Sequence, residues 1–131
     1  YSINQNPSFT FSNGRELEFI EAPFLHFPGA FTTYCKSSKF MFSGDIFAAL
    51  DINWELVVSD FDEHINNMNL FHIDYMASNK ATNGYVKKIE DKQIDAILPQ
   101  HGSIINKAHV NEALDYLRNL RCGIDIAYGD S

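Results

Sequence analysis

A chain of 131 residues is sized for one domain and can bury roughly two-thirds of its unfolded surface. Its residues are 45% hydrophobic and include eleven Phe, six Tyr and one Trp, enough for a bulky aromatic core. The net charge is −7, and among ten scattered Lys and Arg only Lys87 and Lys88 adjoin, which excludes the basic stripe of a nucleic-acid-binding face and attraction to an anionic membrane.

Ser8-Phe9-Thr10-Phe11, then Asn13-Gly14, then Glu16-Leu17-Glu18-Phe19-Ile20-Glu21 predict a β-hairpin: two alternating runs flank a dipeptide that tolerates positive φ. Phe9, Phe11, Leu17 and Phe19 share a parity, which predicts one buried face per strand. Thr32 to Cys35 and Lys39 to Phe42 predict two more strands around the polar turn Lys36-Ser37-Ser38. From Asp60 to Ala77 the pattern is helical, with Phe61, Ile65, Met68, His72 and Tyr75 on one stripe and Ser59 or Asp60 as N-cap. Gly84 to Lys92 predicts a shorter helix with Tyr85, Val86 and Ile89 inward. Ile94 to Leu98 predicts a strand that Pro99 ends. Ala108 to Arg121 predicts an amphipathic helix burying Val110, Ala113, Leu114 and Leu117. Arg118 and Arg121 fall in its last turn and Gly123 at its C′ position. The order β-β-β-β-α-α-β-α, without repeat or linker, implies an α/β or α+β domain with a helical layer on one side of a sheet.

Cys35 and Cys122 are too widely spaced for a disulfide framework, and buried thiols in a reducing, cytoplasmic compartment are the expectation. No stretch reaches the roughly 18 apolar residues of a membrane span. Tyr1 to Pro7 lack the regions of a signal peptide and an initiator Met, so the chain reads as a piece of something longer.

His26, Asp45 and His101 each end a short apolar run, in Ala22-Pro23-Phe24-Leu25-His26-Phe27-Pro28, Phe42-Ser43-Gly44-Asp45 and Leu98-Pro99-Gln100-His101-Gly102. Two imidazoles and a carboxylate suit zinc, iron or manganese, and loops at strand ends can bring distant residues together. A histidine beside a strand is more often a hydrogen-bonded structural residue, so residue types alone leave both readings open.

The local sequence narrows the choice. Phe42-Ser43-Gly44-Asp45 resembles the Ser-Gly-Asp element of the metallo-β-lactamase fold, an αβ/βα sandwich with metal ligands on loops at one edge. The stretches from Leu17 to Pro28, from Phe40 to Phe47 and from Ile97 to Ile105 together resemble the diiron domain of flavodiiron proteins and their flavin-free, oxygen-binding relatives. The resemblance spans about positions 8 to 120. It implies that His26 is a terminal ligand of one metal, Asp45 the bridging carboxylate and His101 a terminal ligand of the other metal. A shared anion offsets the mutual repulsion of two neighbouring cations.

In that family the remaining ligands come from a His-x-Glu-x-Asp-His motif in the N-terminal half, and this sequence has no such motif. Asp60-Phe61-Asp62-Glu63-His64 has the wrong order and sits where acids suit a helix start. The resemblance thus implies that residues 1–131 are a single segment, the C-terminal half of the sandwich, a mixed sheet covered by helices on one side. The missing N-terminal half would supply the other ligands and cover the second sheet face. Alone, the chain is expected to expose a large apolar patch and to occur with its other half or as a homodimer.

The function implied is a non-haem diiron domain that senses or reduces dioxygen. No flavin site is visible, which favours the flavin-free type. The alternatives are a zinc hydrolase of the same fold, with metals activating water, and a structural or regulatory module with a degenerate site. Phe24, Phe27, Phe31 and Phe47 flank the ligands, either as core or as an apolar wall limiting water. Tyr75 is a candidate hydrogen-bonding residue beside the metals. His72 reads as a satisfied buried histidine and His109 as an exposed one.

Overall fold

The structure, a computed structural model, describes residues 8–50 and 56–128. Six strands, β1 (Ser8–Thr10), β2 (Glu16–Glu21), β3 (Phe31–Cys35), β4 (Phe40–Gly44), β5 (Ala96–Pro99) and β6 (Ile105–Asn106), form one sheet in chain order. All neighbours are antiparallel except β4 and β5. That parallel pair needs a crossover, and helices α1 (Phe61–Tyr75) and α2 (Asn79–Ile89) lie in it. Helices α3 (Val110–Asn119) and α4 (Ile124–Ala127) follow the sheet. Among the described residues no helix is long and apolar enough to cross a membrane.

The hairpin turn forms as its residues predict: Asn13 Oδ1 accepts the Arg15 amide proton at 3.0 Å and Gly14 has a φ of 87°. Helix α1 starts where Asp60 accepts the Glu63 amide proton at 3.2 Å. Its buried stripe is Phe61, His64, Met68 and His72, whereas Ile65 is half-buried and Tyr75 exposed. Helix α2 begins five residues before the expected Gly84, because Ser78 caps it and the Asn79 side-chain amide donates to the carbonyls of Arg118 and Leu120 at 2.9 and 2.8 Å. Those tertiary bonds hold a helix through a glycine whose propensity would end it. The expected helix from Ala108 opens as a 3-10 turn at Lys107–His109 before α3. Gly123 does not close α3; it precedes α4 with a φ of 52°, where a Cβ would fall 2.2 Å from the Met76 carbonyl oxygen. Pro99 ends β5 from inside, paired with Gly44. Strand β6 and helix α4 have two and four residues, too few to leave a periodic signal.

Pairing register sorts the side chains into two faces, since opposed residues share a face and sequence neighbours do not. Ile20 with Thr32, and Tyr34 with Met41, Ile97 and Ile105, lie on the covered face and are buried. They pack with Met68 of α1, Tyr85, Val86 and Ile89 of α2, and Val110, Ala113, Leu114 and Leu117 of α3 in one core. Thr32 Oγ1 and the Tyr85 hydroxyl share a hydrogen bond of 2.9 Å inside it. The opposite face carries Phe9, Leu17 and Phe40 in one row and Phe19 and Phe42 in the next. Phe31 stands edge-on to Phe19 and Phe11 edge-on to Phe9. Phe9, Phe11, Phe31, Phe40 and Phe42 are 37–46% exposed. The hairpin face expected to be buried is therefore the face left open, and Ile20 points into the core instead.

Candidate metal centre

Three loops meet at one end of the sheet, and each is built for its position. Between β2 and β3 the chain closes on itself: Ala22 donates to Ala30 O at 2.8 Å, Phe24 to Phe27 O at 2.9 Å and Leu25 to Ala22 O at 3.1 Å. Ala22 and Leu25 are buried, which anchors the loop and turns the next residue, His26, outward. After β4, Ser43 Oγ donates to Ile46 O at 2.6 Å, Gly44 takes a φ of 60°, and Ile46 and Phe47 are buried, so Asp45 is held at the rim. After β5, Gln100 donates to Gly44 O at 2.8 Å, and the His101 carbonyl accepts the Ala49 amide proton at 3.1 Å. A Cβ on Gly102, with φ 106°, would fall 2.9 Å from Ala49 N, so the glycine is what lets the Asp45 and His101 loops close on each other.

His26 Nε2 donates to Asp45 Oδ2 at 2.9 Å, and both side chains are about one-third exposed, at 36% and 30%. Nitrogen and oxygen donors at that separation can be spanned by two bonds of roughly 2.0–2.2 Å to a shared cation. The donor types suit iron, zinc or manganese. His101 joins them through its backbone and its side chain is exposed. Among the described residues no three His, Cys, Asp or Glu side chains converge to hold a metal. The chain brings His26 and Asp45 into contact and places His101 on the adjoining loop.

Three rings lie edge-on to the His26 imidazole: Phe27, Phe71 and Tyr75, with centroids 5.9, 5.6 and 6.3 Å away. Phe71 and Tyr75 stack at 5.0 Å, one helical turn apart on α1. Sequence reasoning found Phe27 and Tyr75 and missed Phe71, although its i, i+4 spacing from Tyr75 was a usable signal. Phe24 instead lines a groove with Pro23, Ala81, Gly84 and Ile124. Phe47 is wholly buried and Phe31 belongs to the open sheet face.

His72 is buried and satisfied at both nitrogens. Nδ1–H donates to Met68 O at 2.9 Å, and Nε2 accepts the Phe47 amide proton at 2.8 Å. Burial, opposed by the Met68 bond, lowers its pKa to about 4, so the ring is neutral at pH 7. His109 is half-buried, not exposed: it stacks on Phe61 at 5.7 Å and pairs with Glu112 at 3.0 Å. Of the thiols, Cys122 is buried and burial raises its pKa to about 11. Cys35 departs from the buried-thiol expectation: it is half-buried, and hydrogen bonds from Ser37 and Ser38 lower its pKa to about 7.

Comparison with known proteins places this arrangement. Residues 2–102 match the family model described as ODP family beta lactamase. The chemotaxis sensor ODP, solved as a peroxy diiron species, is 36% identical with a TM-score of 0.89 over 92% of this chain and 52% of that one. Its apo state from T. denticola is 37% identical with a TM-score of 0.87, over 92% and 50%. An uncharacterized protein of Methanocaldococcus jannaschii is 33% identical over 77% of this chain and 26% of its own length. A flavodiiron protein from Giardia intestinalis, at 23% identity and TM-score 0.70, covers 83% of this chain and 28% of that one and shows the fold alone. This chain spans about half of the ODP chains and about a quarter of the M. jannaschii relative. The mixed sheet with its helical layer is a metallo-β-lactamase-like α/β fold, and the chain belongs to the ODP beta-lactamase family.

Proposed function

We propose that this chain is the C-terminal part of a non-haem diiron domain that binds dioxygen as a sensor. The observation that carries the reading is the 2.9 Å approach of His26 to Asp45 in a fold that superimposes on ODP at a TM-score of 0.89. His26 would hold one iron, Asp45 would bridge, and His101 would hold the other; the remaining ligands would come from a segment outside these 131 residues. The same segment would cover the open phenylalanine face of the sheet. A pair of ferrous ions held there would supply the electrons and the affinity for dioxygen.

The chain's own residues prepare that site. Hydrogen bonds within their loops, and the bond between them, set the positions of His26 and Asp45. Phe27 and Phe71 stand edge-on to the imidazole and present apolar surface beside it, which suits a small apolar ligand. Tyr75, 57% exposed on the same side, offers a phenol to a ligand there.

The test is iron and zinc analysis, with optical spectra under nitrogen and oxygen, of the chain produced with the segment that completes it. Two irons per domain and an oxygen-dependent visible band are expected, and Asp45→Ala should lose both. A colourless protein holding zinc, or an Asp45→Ala variant with full iron content, would overturn the reading.

A further inference from the structure

Helix α1 touches the loops that carry His26 and Asp45, and reaches the His101 loop only through the second of them. Ala77, just past its end, donates to Phe24 O at 3.2 Å in the His26 loop, and Phe71 and Tyr75 stand against the His26 ring. Asn67 O accepts the Leu50 amide proton at 3.1 Å, and His72 Nε2 accepts that of Phe47. The segment after Asp45 in turn donates from Ala49 to the His101 carbonyl. The bond from Phe47 to His72 lies between the helix and the carboxylate, two residues from Asp45.

That bond answers a specific need. Phe47 has a φ of 67° and is fully buried, so its N–H lies outside any strand or helix ladder and out of reach of water. A buried amide without an acceptor is strongly unfavourable. Leucine would fill the helix position without desolvating a polar ring, but only a side-chain acceptor satisfies the amide. The Met68 carbonyl fixes which nitrogen is free, because Nδ1–H donates to it and leaves the Nε2 lone pair aimed at Phe47.

We infer that His72 is the positioning residue of the Asp45 carboxylate, fixing the segment from Asp45 to Ala49, and through it the His101 loop, against helix α1. The inference rests on the diiron reading for its functional consequence, and on the hydrogen bonds alone for its geometry. No contact of His72 with a metal is involved.

The experiment uses the completed domain and cobalt(II) as probe, comparing wild type, His72→Leu and His72→Gln. Removing a hydrogen bond made to a ligating side chain weakens metal affinity about 10- to 100-fold, and the His72 bond, made to an amide two residues from Asp45, is expected to cost about tenfold, the low end of that range. His72→Leu should show that loss while keeping its circular dichroism spectrum, and His72→Gln, whose amide oxygen can accept from Phe47, should recover most of it. A folded His72→Leu variant with wild-type affinity would overturn the inference, as would a His72→Gln variant as weak as His72→Leu. Hydrogen exchange of the Phe47 amide decides the geometry without any variant: strong protection is expected, and exchange at the rate of open loop amides would refute it. If wild type takes up no cobalt while the Phe47 amide is protected, the diiron reading fails and the anchoring by His72 stands.

Discussion

The His72 imidazole makes the stability of this fold depend on pH in a defined window. Unfolded, the ring titrates near pH 6.5; folded, it titrates near pH 4, because burial penalises the charged form more than the Met68 carbonyl favours it. His64 on the same helix pushes the value further down and Asp45 pushes it up, while the Tyr116 ring, edge-on at 5.6 Å, brings no charge. The unfolded chain therefore binds a proton first as pH falls. The contribution is complete above about pH 6.5, is lost progressively down to about pH 4, and amounts to about 3 kcal/mol at roughly 1.4 kcal/mol per pH unit. The sign has a structural basis: protonated Nε2 is a donor facing the Phe47 donor, so the bond is lost and a charge is buried with it. Urea unfolding of the metal-free domain at pH 7, 6, 5 and 4 measures this, with His72→Gln as reference so that the carboxylates cancel. The wild-type advantage over His72→Gln should shrink by about 3 kcal/mol across the window. An advantage constant to within about 0.5 kcal/mol would show that the folded ring is not held neutral by burial.

Gly123→Ala should destabilise by more than about 2 kcal/mol, since it adds left-handed strain and puts a Cβ 2.2 and 2.3 Å from the carbonyl oxygens of Met76 and Ala77; an unchanged thermal midpoint would refute it. The 131-residue chain alone should self-associate through its open face in sedimentation velocity. Phe9→Ser with Phe40→Ser, which removes both rings of one row of that face, should shift it towards monomer, and an unchanged distribution would mean that the face is not the contact.

Much of this molecule is determined by local sequence. The hairpin around Asn13-Gly14, the cap at Asp60 and the helical run from Phe61 each rest on neighbours along the chain, so periodicity and turn chemistry suffice to find them. The three loops that carry His26, Asp45 and His101 were legible for the same reason: glycine or proline falls at or just past the end of each strand, before the residue in question. Tertiary structure decided the rest. Helix α2 runs through Gly84 because Asn79 at its start is held by the carbonyls of Arg118 and Leu120, and Gly123 before α4 sits against Met76 and Ala77, residues far away in sequence in both cases. The alternation of Phe9, Phe11, Leu17 and Phe19 fixed which side chains share a face but not which face the helices cover, because period two is the same on either side of a sheet. Nor could spacing tell that His72 reaches across 25 residues to an amide beside Asp45. A hydrogen bond between elements depends on how a helix is set against a loop, and that setting comes from packing the whole core.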